Sequence, residues 1–237
     1  NRYPRIEEKT SDKFLTWGWS NGQSKFVPSF IFKTTGKKIY NHNSKGGLLL
    51  IERPKSFRYE IWDSSNEFNK YFDSQKKFVK NLDLEVKKKL TIRLHPSYQV
   101  GKYNEDLRWR DFDKTLNINS DDISIRHLIK NSRLAIFSYD STGLLETLSC
   151  NIPTLVFWQN NFEHLRESVI PDYQTLVDSG ILHFSPESVA DKVNEIWRDV
   201  DQWWRNENIQ KTRLNFCNKY ARLSNSPIVD LKKILLS

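Results

Sequence analysis

Residues 137–158 read FSYDSTGLLETLSCNIPTLVFW, and the reading of this stretch decides the fold. The apolar run RLAIF ends at Phe137, a cluster of small hydroxyl residues with one glycine follows, about two turns of helix come next, and TLVFW is a second apolar run. Strand, small-residue turn, helix and strand in this order form a parallel crossover unit. The first strand of such a unit ends where a helix begins, and a helix start presents unpaired amide protons and a partial positive charge.

The same alternation extends along the chain. GGLLLIER (46–53) reads as a buried strand introduced by two glycines, and LTIRLHP (90–96) as another. Between them SSNEFNKYFDSQKKFVKNL places Phe68, Tyr71, Phe72, Phe78 and Val79 at helical spacing, and LDLEVKKKL is a second short helix. FLTWGW reads as an early strand and ILHFS as a late one. A long polar connection runs from Ser97 to Asp122 with a short strand near KTLNI, and Asp122 or Ser124 caps the helix ISIRHLIKNS. FEHLRESVI and PDYQTLVDSG read as helical, and Ser185, Pro186 and Glu187 open a helix that continues through VADKVNEIWRDV. WWRNENIQKTRLNFCNKYA reads as one long final helix, in which Trp203 and Trp204 cannot share one narrow inward stripe, so one of them is expected to be partly exposed.

The fold class that follows is α/β, a Rossmann-like, mainly parallel sheet with helices on both faces. Residues 1–13 read as a linker or the tail of a missing N-terminal domain, 14–222 as the nucleotide-binding domain and 223–237 as a C-terminal helical extension.

Composition narrows the function. The 237 residues are 38% hydrophobic and 13% aromatic, enough for one large core or one core plus an extension. No run approaches the roughly 20 apolar residues of a membrane span, and NRYPRIEEKT is not a signal peptide, so a cytoplasmic chain is expected. Cys150 and Cys217 lack metal-ligand spacing and are expected as buried thiols. The net charge of +8 suits phosphorylated ligands, anionic glycans or peripheral contact with an anionic membrane. The cations are scattered and not interleaved with aromatics, so nucleic acid is not an expected partner.

In open parallel sheets ligands bind beyond the carboxyl ends of the strands. Two strand ends carry suitable groups. Arg93 and His95 lie in RLHP (93–96), where Pro96 fixes the backbone after the histidine. Ser138, Ser141, Thr142 and Gly143 lie in SYDSTG (138–143), whose amides and hydroxyls suit a phosphate. Each also has a plain structural use: the Ser-Thr pair as a helix cap, His95 as a hydrogen-bonded histidine, and Glu146 as a solvated helix residue or capping-box partner.

HP at the end of one strand and a Ser/Thr pair at a helix start two strands later resemble the paired motifs of bacterial sialyltransferases, Kdo transferases and CDP-glycerol glycerophosphotransferases. The fuller pattern, with WGW (17–19), RLHP and SYxSTGxLExLxxNxPTLxFW, is similar over residues 14–220 to a family of O-antigen or surface-polysaccharide transferases. The resemblance implies the C-terminal, donor-binding half of a GT-B glycosyltransferase. His95, Ser141 and Thr142 would then be ligands of a cytidine nucleotide's phosphate, with His95 stabilising the leaving phosphate. Gly143 would be the position of close approach and Glu146 a ribose or sugar contact.

The expected substrates are a nucleotide sugar and a glycan or lipid-linked acceptor, with no cofactor and no metal. No acid pair before residue 60 suggests a general base, which is therefore expected on a missing half, leaving the fragment alone inactive. Polyol-phosphate transfer from a CDP-alcohol and a non-catalytic nucleotide-binding module are the competing readings.

Overall fold

The structure, a computed structural model, describes residues 6–35, 42–53, 65–96, 98, 104–120 and 123–236. The described residues hold eight strands: β1 (Phe14–Thr16), β2 (Phe26–Pro28), β3 (Gly47–Ile51), β4 (Leu90–Arg93), β5 (Asn117–Asn119), β6 (Ser132–Phe137), β7 (Thr154–Phe157) and β8 (Leu182–His183). The helices are α1 (Ile6–Thr10), α2 (Ser65–Lys80), α3 (Leu84–Lys87), α4 (Glu105–Phe112), α5 (Ile125–Lys130), α6 (Thr142–Ser149), α7 (Ile170–Asp178), α8 (Pro186–Ile196), α9 (Val200–Trp204), α10 (Glu207–Tyr220) and α11 (Pro227–Leu236).

β3 to β8 form one sheet in the order β5-β4-β3-β6-β7-β8, and every pairing is parallel. The chain starts in the centre at β3, moves outward through β4 to β5, returns to the other side of β3 as β6, and moves outward again to β8. Strand order therefore reverses between β3 and β6, which is where a doubly wound sheet opens a crevice. β1 and β2 form a separate two-stranded parallel sheet.

Alternation along the strands divides the core in two. Leu48, Leu50, Ile92, Leu134, Ile136, Leu155 and Phe157 face α2, α4 and α8, whose Phe72, Phe78, Val79, Trp109, Val189 and Val193 complete one cluster. Leu49, Ile51, Ala135, Phe137 and Val156 face α6, α7 and α10. Both faces of β3 are buried, with Leu48, Leu49 and Leu50 at most 1% exposed, which is why GLLLI has no polar alternation. α2 folds because Tyr71, Phe72, Phe78 and Val79 recur on one side, and Phe78 stacks on Phe157 at 5.5 Å.

Several boundaries differ from the sequence expectation. The helix read from Pro186 through Val200 stops at Ile196 and gives way to a 3-10 turn over Trp197–Asp199, and the long final helix is two pieces, α9 and α10, separated at Arg205 and Asn206. Asp199 and Asn206 accept from the Gln202 and Asn208 amides as N-caps, so the polar side chains that look like solvated helix surface instead restart the helix. Trp204 is buried and donates to Asn151 Oδ1 at 2.9 Å, while Trp203 remains half-buried.

FEHLRESVI is not a helix but turns and a 3-10 segment at Glu167–Val169, because Asn160 and Asn161 adopt φ of 67° and 46° and Trp158 Nε1 donates to the Asn161 carbonyl. The polar connection after β4 holds α4, whose buried residues are only Glu105 and Trp109 and so leave little apolar periodicity. α1 occupies part of the stretch read as linker. Ser124 caps α5, accepting from the His127 amide at 3.2 Å, while Asp121 and Asp122 lie outside the described residues, as does the side chain of Phe68.

Cys150 and Cys217 are buried thiols, and burial pushes Cys217 up to about 12. Among the described residues no helix is long and apolar enough to cross a membrane.

Candidate functional site

The carboxyl ends of β4, β3 and β6 lie side by side, and the register sets Ile51 level with Arg93 on one side and Phe137 on the other. β3 thus separates the two sequence motifs. At 4.7–4.9 Å per strand, the RLHP and SYDSTG ends are about 10 Å apart across the tip of β3. Both stand at the same edge, on either side of the switch point.

The β6 end is built from hydroxyls. Ser138 is 3% exposed and its Oγ donates to the Ile51 carbonyl at 3.2 Å. Tyr71 of α2 meets Ser138 Oγ at 2.7 Å, and the Arg53 amide donates to Tyr71 Oη at 2.9 Å. With Ser138 giving its proton to Ile51, Tyr71 must give its own to Ser138, so the chain of donors closes across the end of β3 with no proton to spare. Burial and the neighbouring Glu52 raise the Tyr71 phenol far above its usual range. Ser138 therefore fastens β6 to β3 and α2.

Ser141 is the N-cap of α6, accepting from the Leu144 amide at 3.4 Å, and its side chain also bonds the Tyr139 hydroxyl. Thr142 is exposed at the first helical position. Gly143 is fixed by packing, since a Cβ there would stand 2.7 Å from Phe137 Cε1. The first-turn amides of α6 have no acceptor inside their own helix. The Glu146 carboxylate faces Lys33, Nζ to Oε1 2.6 Å, with the lysine more than half exposed. Asp140 lies 3.4 Å from His164 Nε2, and the His164 ring meets Trp158 edge-on.

At the β4 end Arg93 is buried. Its Nη1 donates to the Leu94 carbonyl at 2.5 Å and Nη2 to the Ile123 carbonyl at 3.3 Å, so most of its fork braces the loop into α5. His95 is half-buried two residues further, and its carbonyl accepts from the Tyr98 amide. Partial burial, then the Arg93 charge, holds the His95 imidazole below its usual range, so it is neutral at pH 7.

Two residues at the tip of β3 have no counterpart in the motif reading. Arg53 is half-buried at the switch point, its guanidinium 4.7 Å from the Tyr71 ring centroid, and among the described residues its Nε has no hydrogen-bond partner. Glu52 is 5% exposed and accepts from Trp109 Nε1 at 3.0 Å. Burial, with a smaller push from Glu105, raises Glu52 to about 8 against the Trp109 bond that lowers it. The signal for both was the pair of charges closing GGLLLIER, which only the central position of β3 makes conspicuous.

Trp17 and Gly18 lie against the end of α10, and the Trp19 ring packs on Phe26. Gly18 has φ of 135°, and a Cβ there would stand 2.4 Å from the Asn218 carbonyl at the end of α10; Trp17 packs against the α6-side cluster.

The sequence model of the LIC12162 family transferases matches residues 3–235. Two solved structures of the wall teichoic acid polymerase TagF, the first a variant soaked with CDPG, are similar to the chain. The first has 12% identity and a TM-score of 0.49, covering 97% of this chain and 57% of that one. The second has 11% identity and a TM-score of 0.47, with 97% and 58% covered. The chain thus spans less than two thirds of the length of these structures. No curated protein matches it.

Proposed function

The chain belongs to the LIC12162 family of transferases, and we propose that it carries the donor-nucleotide site of a glycosyltransferase that builds surface polysaccharide, as the C-terminal half of a GT-B enzyme. The observation that carries this reading is the reversal of strand order between β3 and β6, with the start of α6 on one side, His95 on the other and Arg53 between them. A single phosphate is short for the roughly 10 Å from motif to motif. A nucleoside phosphate lying across the tip of β3 is long enough, with its phosphate at the α6 amides and Arg53 and an adjoining group toward His95.

The negative charge on the leaving nucleotide grows as the glycosidic bond breaks, and fixed donors aimed at that charge lower the barrier. The amides of Thr142 and Gly143 and the Arg53 guanidinium are such donors. His95, neutral in the free protein, gains affinity for a proton beside a phosphate and then becomes a further cationic donor. Thr142 Oγ1 and Glu146 are the groups nearest the helix start for a phosphate oxygen and a sugar hydroxyl. A cytidine donor is proposed from the HP and Ser/Thr motifs, and a glycan or lipid-linked acceptor would be held by another part of the protein, together with the general base.

Calorimetric titration with CMP, CDP, UDP and GDP tests the reading. Binding of the cytidine nucleotides with the others weaker is the expected result, and no heat from any of the four at millimolar concentration overturns it.

A further inference from the structure

Among the described residues, one side of α11 is tied to the body. Asp230 is tied to the Ser224 hydroxyl at 2.6 Å, Lys13 Nζ donates to the Ile234 carbonyl at 2.9 Å, and Leu231 and Ile234 are half-buried. The other side carries Ile228, Val229, Leu235 and Leu236, which are 72%, 51%, 66% and 87% exposed, and with them the exposed Lys232 and Lys233. The helix's one acid, Asp230, is not on this side. Four large aliphatic side chains thus stand in solvent on a helix of ten residues, accompanied only by cations.

The composition of this face argues for its occupant. Protein interfaces favour aromatics, methionine and arginine at their centre and are depleted in lysine, and this face has lysine and aliphatics alone. A bilayer surface asks for that combination. Aliphatic side chains enter the acyl boundary while lysine stems lie along them and carry ammonium groups to the phosphate level. The chain's net charge of +8 draws the same way.

We propose that the outer face of α11, Ile228, Val229, Lys232, Lys233, Leu235 and Leu236, is a docking surface for an anionic phospholipid bilayer. The helix lies in the interface without spanning it, at about 15 Å long. This surface does not depend on the nucleotide reading of the sheet edge.

Co-sedimentation of the 237-residue chain with vesicles tests it. Vesicles of phosphatidylcholine with 30% phosphatidylglycerol are compared with phosphatidylcholine alone, in a composition chosen about where surface attraction becomes strong. Binding to the anionic vesicles only, weakened by salt, is expected. Lys232→Gln and Lys233→Gln should each reduce partitioning about fivefold, and Ile228→Glu with Leu235→Glu by more than about tenfold. All four side chains are exposed, so melting temperature and nucleotide titration should be unchanged, and a fault in the donor site would show in the titration alone. Equal binding to both vesicle types, or an unchanged bound fraction in the Ile228→Glu/Leu235→Glu variant, overturns the proposal. So does a concentration-dependent dimer that these substitutions dissolve, which would assign the face to a second copy.

Discussion

Tyr71 and Ser138 meet hydroxyl to hydroxyl at 2.7 Å across the carboxyl end of β3, joining the helix that leaves the sheet on one face to the strand from which the chain departs to the other. The switch point is therefore bridged by a hydrogen-bonded chain, with the Arg53 guanidinium against the Tyr71 ring.

Ser138→Ala removes one link of that chain and leaves the Tyr71 proton in a site that is 3% exposed at the serine. The expected loss of stability is about 1–3 kcal/mol. Tyr71→Phe should cost a similar amount because the Arg53 amide loses its acceptor. The double variant should lose less than the sum of the two single losses, since each substitution alone already breaks the same Tyr71–Ser138 bond. Urea unfolding of the four proteins measures this, and full additivity would mean the two hydroxyls do not act as one link.

Gly143 tests packing against ligand approach. Its added Cβ would stand 2.7 Å from Phe137 Cε1, a ring itself 2% exposed, so Gly143→Ala should destabilise the protein even without nucleotide. Phe137→Leu makes room beside residue 143 at the expense of core volume. Gly143→Ala should therefore cost less stability in the Phe137→Leu background than in the parent. Equal costs in thermal unfolding would show that Phe137 is not the obstacle.

The sheet was legible because parallel strands buried on both faces read as unbroken apolar runs, and LLLI, LAIF and TLVF need no partner to be seen. The reversal between β3 and β6 was not, because strand order is a property of the crossovers and no local pattern encodes it. The site divides in the same way. His95 and Ser141 to Gly143 are visible as residues that follow strands, and the structure puts them at one edge, two strands apart. Arg53 and Glu52 gain meaning only once β3 is central. Motif reading also had no means of separating Ser138 and Arg93 from their neighbours, since it is burial that directs the first to Tyr71 and Ile51 and the second to two backbone carbonyls.

Glu52 predicts a pH dependence of stability with a definite sign. Burial raises its folded-state value to about 8 from 4.5. Between these values the folded chain holds a proton that the unfolded chain has released, so stability falls as pH rises, at up to about 1.4 kcal/mol per pH unit. His95 and His183 act in the opposite sense, their folded values lowered by burial, and their contribution fades as pH rises above 6.5. From pH 6.5 to 8 the comparison with a variant that cannot titrate at residue 52 isolates Glu52. Glu52→Gln keeps an acceptor for Trp109 Nε1 and has no proton to lose, so its unfolding free energy should be flatter over this interval than the parent's. Identical slopes would place the carboxyl proton elsewhere.

The last prediction separates a phosphate ligand from a structural histidine. A charge-assisted bond from His95 to a phosphate is worth roughly 1.5–3 kcal/mol, so His95→Ala should weaken cytidine nucleotide binding by about one to two decades. Arg53→Gln should cost at least as much, because the guanidinium is the fixed cation at the tip of the central strand. Thr142→Val deletes a single hydroxyl while the helix amides remain, and should cost less than either. The pH profile is the discriminating measurement. In the free protein burial and Arg93 keep the imidazole neutral at pH 7, whereas a bound phosphate favours the imidazolium, so binding takes up a proton and tightens as pH falls from 8 toward 6. The nucleotide's own phosphate titrates in this interval as well, but identically for both proteins. The ratio of parent to His95→Ala affinity should therefore grow with acidity, and a ratio that stays constant from pH 8 to 6 would leave His95 as packing at the end of β4.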